Sequence, residues 1–279
     1  MSIVIAGCGY VGSALARTLV ARGERVIAIR RDASQLPEGV VAIGADLRDR
    51  AALDAALPGE VRQLVYAAAP DSSAPDAYRA AYVDGLRAVI EVTRARGATR
   101  AVLTSSTAVY PQVDGWVDEE SATGAQGNPA ALLEAEALVR RSFPEGIALR
   151  LAGIYGPGRD RIVRSVADGT ARTPRAPRYG NRIHRDDCAG AIERLLALDA
   201  PGSVYVGVDD DPADFRDVYA WVAGELGVPV PALEDEGAVP ARGGNKRCRN
   251  ARLRGAGWAP RYPSFREGYR DAIERFRRA

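Results

Sequence analysis

The run Gly7-Cys8-Gly9-Tyr10-Val11-Gly12 follows the apolar stretch Ile3-Val4-Ile5-Ala6 and opens a segment of helical period. In that context the glycines predict a cradle for the pyrophosphate of a dinucleotide. Gly7 serves a tight turn, Gly9 lets the backbone approach the phosphates, and Gly12 brings helix against strand. The helix N-terminus adds free N–H groups and a partial positive charge, with Tyr10 and Val11 of the loop expected beside the phosphates. An NAD site places a carboxylate about twenty residues further on, at the end of the second strand, to bind the ribose 2′-hydroxyl. Here the strand Val26-Ile27-Ala28-Ile29 ends in Arg30-Arg31. Paired guanidiniums bind a 2′-phosphate bidentately where a carboxylate would repel it, so the sequence predicts NADP, with NAD as the alternative. Asp46-Leu47 is expected beside the adenine, and Ala67-Ala68-Ala69 where the cofactor passes close to the backbone.

Positioning these groups takes alternating strands and helices. Strand patterns cover 3–6, 25–29, 40–44, 63–67, 100–105 and 147–151, and helical spacing of apolar residues covers 12–22, 50–56 and 75–96. That alternation is an α/β pattern of βαβ units, a doubly wound parallel sheet or Rossmann fold. After Leu151 it breaks into Gly-, Pro- and Arg-rich stretches at 153–158, 170–180 and 229–245. A helix over 186–198 and a strand over 203–208 are expected to return to the sheet. The predicted domains are therefore a dinucleotide-binding domain, 1–152 with 186–208 returning, and a smaller substrate lobe from the separate segments 153–185 and 209–279.

Bulk properties narrow the partners. With 38 Lys plus Arg against 36 Asp plus Glu, the net charge of +2 supplies no overall field for nucleic acid or a membrane surface. Cys8, Cys188 and Cys248 lie far apart and His184 is the only histidine, so neither a disulfide framework nor a bound metal is expected. No apolar run reaches the roughly twenty residues of a membrane span, and no signal peptide is recognisable, so the expected compartment is cytoplasmic.

Four motifs in this order resemble the extended short-chain dehydrogenase/reductases of the NAD-dependent epimerase/dehydratase group: 7–12, 103–110 (Leu-Thr-Ser-Ser-Thr-Ala-Val-Tyr), 149–158 (Leu-Arg-Leu-Ala-Gly-Ile-Tyr-Gly-Pro-Gly) and 183–187 (Ile-His-Arg-Asp-Asp). The resemblance implies the Rossmann fold, a nicotinamide cofactor with Thr104 against it, and a polar small-molecule substrate such as a nucleotide sugar. It also implies a Tyr-x-x-x-Lys acid/base pair on the helix after the fifth strand, in which lysine lowers the tyrosine pKa. Alignment on Glu136 puts Asn128 and Leu132 at those positions, and Lys246 is the only lysine in the chain. Asn128-Pro129 instead suits a helix N-cap and first helical residue. The pattern resembles an atypical subgroup that keeps the glycine loop and lacks the pair, and the C-terminal run from Asn245 through Tyr262-Pro263 looks like that subgroup too.

Within this resemblance Ser106 matches the hydroxyl that holds a substrate oxygen. Thr107-Ala108 replace the acidic pair of a 4,6-dehydratase, which disfavours that reaction. Tyr110 either packs in its turn or substitutes as acid/base. Tyr155 beside Arg159 is a candidate replacement pair, with the guanidinium lowering the phenol pKa. Arg159, Arg182, His184 and Arg247 are candidate substrate-binding residues, although Asp187 could cap and His184 could pack. Arg242, Lys246, Arg247 and Arg249 form a basic cluster suited to a substrate phosphate. Two functions fit: an NADP-dependent reductase or epimerase with a non-standard active site, or a catalytically inactive NADP-binding redox sensor. Helices 75–96 and 129–141 resemble those of a four-helix dimer interface, so a homodimer is expected.

Overall fold

The computed structural model describes residues 1–124, 126–237 and 245–278. Its first strand, β1 (Ser2–Ala6), is buried at every residue, as a parallel strand covered on both faces must be. Side chains alternate, so Ile3 and Ile5 enter one apolar core while Val4 and Ala6 enter the other. The chain continues through α1 (Tyr10–Ala21), β2 (Val26–Arg30), β3 (Val41–Gly44), α2 (Arg50–Ala56) and β4 (Val61–Tyr66). Then come α3 (Pro75–Arg79), α4 (Gly85–Ala95), β5 (Arg100–Ser106), β6 (Gly115–Val117), α5 (Asn128–Ser142), β7 (Glu145–Leu151) and β8 (Gly153–Tyr155). The remainder comprises α6 (Arg161–Ala167), β9 (Arg182–His184), α7 (Arg185–Leu196), β10 (Val204–Gly207), α8 (Phe215–Leu226), β11 (Lys246–Cys248), α9 (Ala251–Gly255) and α10 (Phe265–Arg278).

Seven strands pair in the order β10-β7-β5-β4-β1-β2-β3, every pair parallel. The strand order reverses between β1 and β4, the switch point where open α/β sheets leave a crevice for ligands. Helices α1 and α7 cover one face and α2, α4 and α5 the other. The predicted doubly wound sheet is the observed one.

Three details depart from the sequence expectations. The segment 75–96 is interrupted by a π-helical turn over Ala80–Asp84. The phenol of Tyr66 at the end of β4 donates to the Ala81 carbonyl there, and a Cβ on Gly85 would lie 2.9 Å from the Tyr66 phenol oxygen. A side chain inserted into the helical ladder is a recognised cause of such a turn. Second, Asn128 is not the N-cap of α5. Gly127 takes that place at φ +63°, a conformation that favours glycine, and Asn128 Nδ2 donates to the Ser73 carbonyl at 2.9 Å. Third, between and beyond the Gly-, Pro- and Arg-rich stretches lie three helices for which the sequence reading gave no expectation, α6, α8 and α10, which pack a core of their own around Val163, Val218, Phe265 and Tyr269. Among the described residues no helix is long and apolar enough to cross a membrane, and no cluster of His, Cys, Asp or Glu is arranged to hold a metal ion.

One buried polar network locks α5 to the sheet beside the site. Ser105 and Arg150 are register partners on β5 and β7, and both reach Glu136 of α5, which is fully buried. Ser105 Oγ donates to Glu136 Oε1 at 2.6 Å, while Arg150 Nε and Nη2 donate to the two carboxylate oxygens at 3.0 and 2.8 Å. Removing one member leaves the other charge buried and unpaired. Glu136→Ala should therefore lower stability by about 3–5 kcal/mol in urea unfolding, whereas Glu136→Leu combined with Arg150→Met should recover most of that loss.

Candidate functional site

A cleft of about 760 Å³ opens at the C-terminal ends of β1, β2, β4, β5 and β7. Its floor is the glycine loop. Gly7 has φ +82°, and a Cβ there would stand 2.3 Å from the Ala68 backbone nitrogen. Gly12 packs beneath the loop, where a Cβ would lie 3.0 Å from the Gly7 carbonyl and 3.1 Å from Ile5. Gly9 differs, since a Cβ would meet nothing closer than 3.9 Å within the protein. Its open side faces the cleft, and as N-cap of α1 it offers no side-chain acceptor to the helix's first N–H groups. Those groups and that clearance fit a pyrophosphate. Gly7, Gly9, Tyr10 and Val11 line the cleft, and Ala67, Ala68 and Ala69 form the adjoining wall.

At one end of the cleft stand Arg30, Arg31 and Arg48, with Asp46 and Leu47 beside them. Arg31 makes a two-pronged ion pair with Asp71 at 2.8 and 2.6 Å, both side chains mostly exposed. Arg48 pairs likewise with Asp46, and its hydrogen bonds hold that carboxyl down at about 2. Among the described residues Arg30 makes no ion pair. Sequence reasoning missed Arg48 and Asp71. Arg48 follows Asp46-Leu47 directly and was legible as a third cation, but the Arg31 to Asp71 pairing spans two strands and has no local signal.

At the other end are Thr104, Ser105 and Ser106 of β5, with Leu151, Ala152 and Ile154. Thr104 Oγ1 donates to the Tyr66 carbonyl at 3.3 Å, and Ser105 is committed to Glu136. Ser106 Oγ accepts from the Ala108 N–H at 3.1 Å, which leaves its own hydrogen free to donate into the cleft. The π-helical turn brings Ala80, Ala81 and Tyr82 to the wall, and burial raises the Tyr82 phenol to about 12.

Of the other expected residues that the structure describes, Arg159 lines the cleft and Tyr110, Tyr155, Arg182, His184 and Arg247 do not. Tyr110 is buried behind Ser106, its oxygen accepts from Arg150 Nη1 at 3.0 Å, and burial pushes its pKa up to about 12. Tyr155 points into the core of α6, α8 and α10, donates to the Ser264 carbonyl at 3.4 Å, and is also shifted upward by burial. Arg159 does line the cleft, yet its guanidinium stands over the Tyr10 ring, so no pair with Tyr155 forms. Arg182 is buried against Phe215 with Nη1 on the Gly180 carbonyl at 2.9 Å. His184, not Asp187, caps α7: its Nδ1 accepts from the Asp186 N–H at 3.2 Å, its ring stacks on Tyr262, and burial lowers it to about 4. Asp187 instead accepts the backbone N–H groups of Arg261 and Tyr262, and burial raises it to about 6.

Of the basic cluster, Arg247 sits over the Trp116 and Tyr179 rings, Arg249 over Trp116, and Lys246 Nζ donates to the Tyr110 carbonyl at 3.0 Å. Arg242 lies outside the described residues.

The model of the NAD dependent epimerase/dehydratase family matches residues 3–198. The chain is 31% identical to a 3-diazoavenalumate denitrifying reductase from a Streptomyces species, over 96% of this chain and 99% of that one. It is 30% identical to a 2-alkyl-3-oxoalkanoate reductase from Stenotrophomonas maltophilia, over 81% and 76% of the two chains. A solved structure from Methylobacillus flagellatus described as an NAD-dependent epimerase/dehydratase superimposes with a TM-score of 0.80 at 34% identity, covering 99% of this chain and 98% of that one. With this glycine cradle at the switch point of a parallel sheet, and a family match across most of its length, the chain belongs to the NAD-dependent epimerase/dehydratase family of extended short-chain dehydrogenase/reductases.

Proposed function

We propose that this protein is an NADP(H)-dependent reductase of a small polar molecule, working without a Tyr/Lys proton relay. The observation that carries the cofactor choice is the cluster Arg30, Arg31 and Arg48 at the end of β2 and β3, where an NAD-selective site has a carboxylate. Planar guanidiniums match the oxygens of a 2′-phosphate. The glycine loop and the first turn of α1 would hold the pyrophosphate, and the wall at Ala67–Ala69 leaves room for the rest of the dinucleotide.

When bound, the nicotinamide supplies hydride chemistry at the Ser106 end. Ser106 would hold a substrate oxygen with its free hydrogen. The nearby phenols are poorly placed for proton transfer: Tyr66 donates to the Ala81 carbonyl, Tyr110 lies outside the cleft lining, and burial holds Tyr82 and Tyr110 well above neutral pH. General acid/base help is typically worth about 10²–10⁴-fold, so substrates that need no proton from the protein gain most from such a site. The names of two relatives, both reductases, agree with reduction over epimerisation.

Calorimetric titration tests the cofactor reading. NADPH should bind about tenfold or more tightly than NADH, and Arg30→Asp/Arg31→Ala should erase that preference. Equal affinity in the wild type refutes NADP selectivity. In a turnover assay, NADPH consumption should be faster with a strongly electrophilic aryl diazonium than with a 3-oxoacid; the reverse order refutes the proton-free reading.

Asp71 competes for Arg31 in the cofactor-free protein, and exposed ion pairs of this kind are worth only about 0–1 kcal/mol. Asp71→Asn should accordingly tighten NADPH binding by about two- to fivefold and leave NADH unchanged, measured in the same titration.

A further inference from the structure

A second loop reaches back onto the glycine cradle. Tyr10, the first residue of α1, donates its phenol hydrogen to the Pro157 carbonyl at 2.9 Å. The Arg159 guanidinium stands 4.1 Å from the centroid of the same ring, and that of Arg185 stands 5.3 Å away. Between the two glycine turns at Gly156 (φ +135°) and Gly158 (φ +78°), the loop is pressed close. A Cβ on Gly156 would lie 2.9 Å from His184 Nε2 and 3.1 Å from the Tyr10 oxygen. The Arg159 N–H closes the turn on the Gly156 carbonyl at 2.9 Å.

The two cations over Tyr10 are not equivalent. Arg185 is engaged by Asp186 at 2.9 Å. Arg159 has no carboxylate partner among the described residues, yet it lines the cleft together with Gly9 and Tyr10. An aromatic face holds this guanidinium in place while leaving its N–H edge unoccupied. Its neighbour is the uncapped N-terminus of α1, already the positive end of a helix dipole. Two sources of positive charge, far apart in sequence, thus converge where the dinucleotide's diphosphate belongs.

We propose that Arg159 is a cofactor clamp, binding the pyrophosphate at the N-terminus of α1 with Tyr10 as its platform, and not a substrate-binding residue. This rests on the dinucleotide reading above but not on NADP selectivity. The clamp follows the pyrophosphate alone. It is indifferent to the 2′-phosphate, which Arg30, Arg31 and Arg48 would meet, and to the nicotinamide.

The test titrates the full chain and its Arg159→Ala, Arg159→Lys and Tyr10→Leu variants with NADPH, NADH, ADP-ribose and adenosine 2′-monophosphate, the last by competition. Arg159→Ala should lose about tenfold in affinity for each of the three pyrophosphate ligands and nothing for the monophosphate. Arg159→Lys, with charge but no planar fork, should fall between, and Tyr10→Leu should lose affinity although Arg159 is retained. Thermal melting of each variant reports folding independently. Wild-type affinities in Arg159→Ala, or an equal loss for the monophosphate, overturn the clamp alone. If the wild type binds none of the dinucleotides, the cofactor reading falls and the clamp with it.

Discussion

The site depends on the clearance between two turns at the switch point of the sheet, the one after β1 and the one after β4. Gly7 and Ala68 approach so closely that a single added methyl would stand 2.3 Å from backbone nitrogen. Such a contact yields only by moving a central strand, whose neighbours are buried on both faces. The displacement would carry Tyr66 with it, and through the Tyr66 to Ala81 hydrogen bond the π-helical turn that forms the far wall. Cradle, wall and helix are thus one mechanical unit. Gly9, by contrast, is required by nothing inside the protein, which marks the space in front of it as room for a ligand.

Polar groups divide between the two ends of the cleft in a way that limits the chemistry. The end near β2 and β3 is rich in guanidiniums, and the end near β5 has hydroxyls that are mostly spoken for. Ser105 and Arg150 satisfy the buried Glu136, Arg150 also engages Tyr110, and Tyr66 holds the helix turn. Each of these bonds lowers the cost of burying a polar atom, and those made by Tyr66 and Ser105 commit their hydroxyl hydrogens to acceptors within the protein. Among the hydroxyls at this end, Ser106 is the one whose own hydrogen is left uncommitted, since its oxygen accepts from the Ala108 N–H.

The parts legible in the sequence are those with a local cause. Strands buried on both faces read as continuous β-branched runs, and the glycine loop announces itself because it sits between such a strand and a helix. The C-terminal lobe was obscure for a physical reason. Helix α10 buries Phe265, Tyr269, Ala272 and Ile273 on one face, but its other face is so rich in Arg and Glu that the stripe is thin. The directions of Tyr110 and Tyr155 were equally hidden. A tyrosine at a strand end can face a cleft or a core, and here Arg150 claims one while the packing of α6, α8 and α10 claims the other. Arg159 shows the converse, where the residue type was legible but its platform, Tyr10, lies too far away in sequence for any spacing rule to pair them.

The same long-range contacts connect the C-terminal lobe to the cofactor cradle. Tyr10 reaches the loop at Pro157, that loop packs on His184 through Gly156, and His184 caps α7, which lies along α1 in the first core. The circuit closes on the helix whose N-terminus faces the cleft. His184 sits in it as a neutral ring, since burial holds its pKa near 4 and its stacking on Tyr262 requires no charge. Asp187, in the first turn, anchors the backbone at Arg261 and Tyr262, while Arg185 stands over the Tyr10 ring, so the start of α7 touches both the lobe's final segment and α1. The first turn of α1 is thus joined to the C-terminal lobe by a continuous chain of contacts.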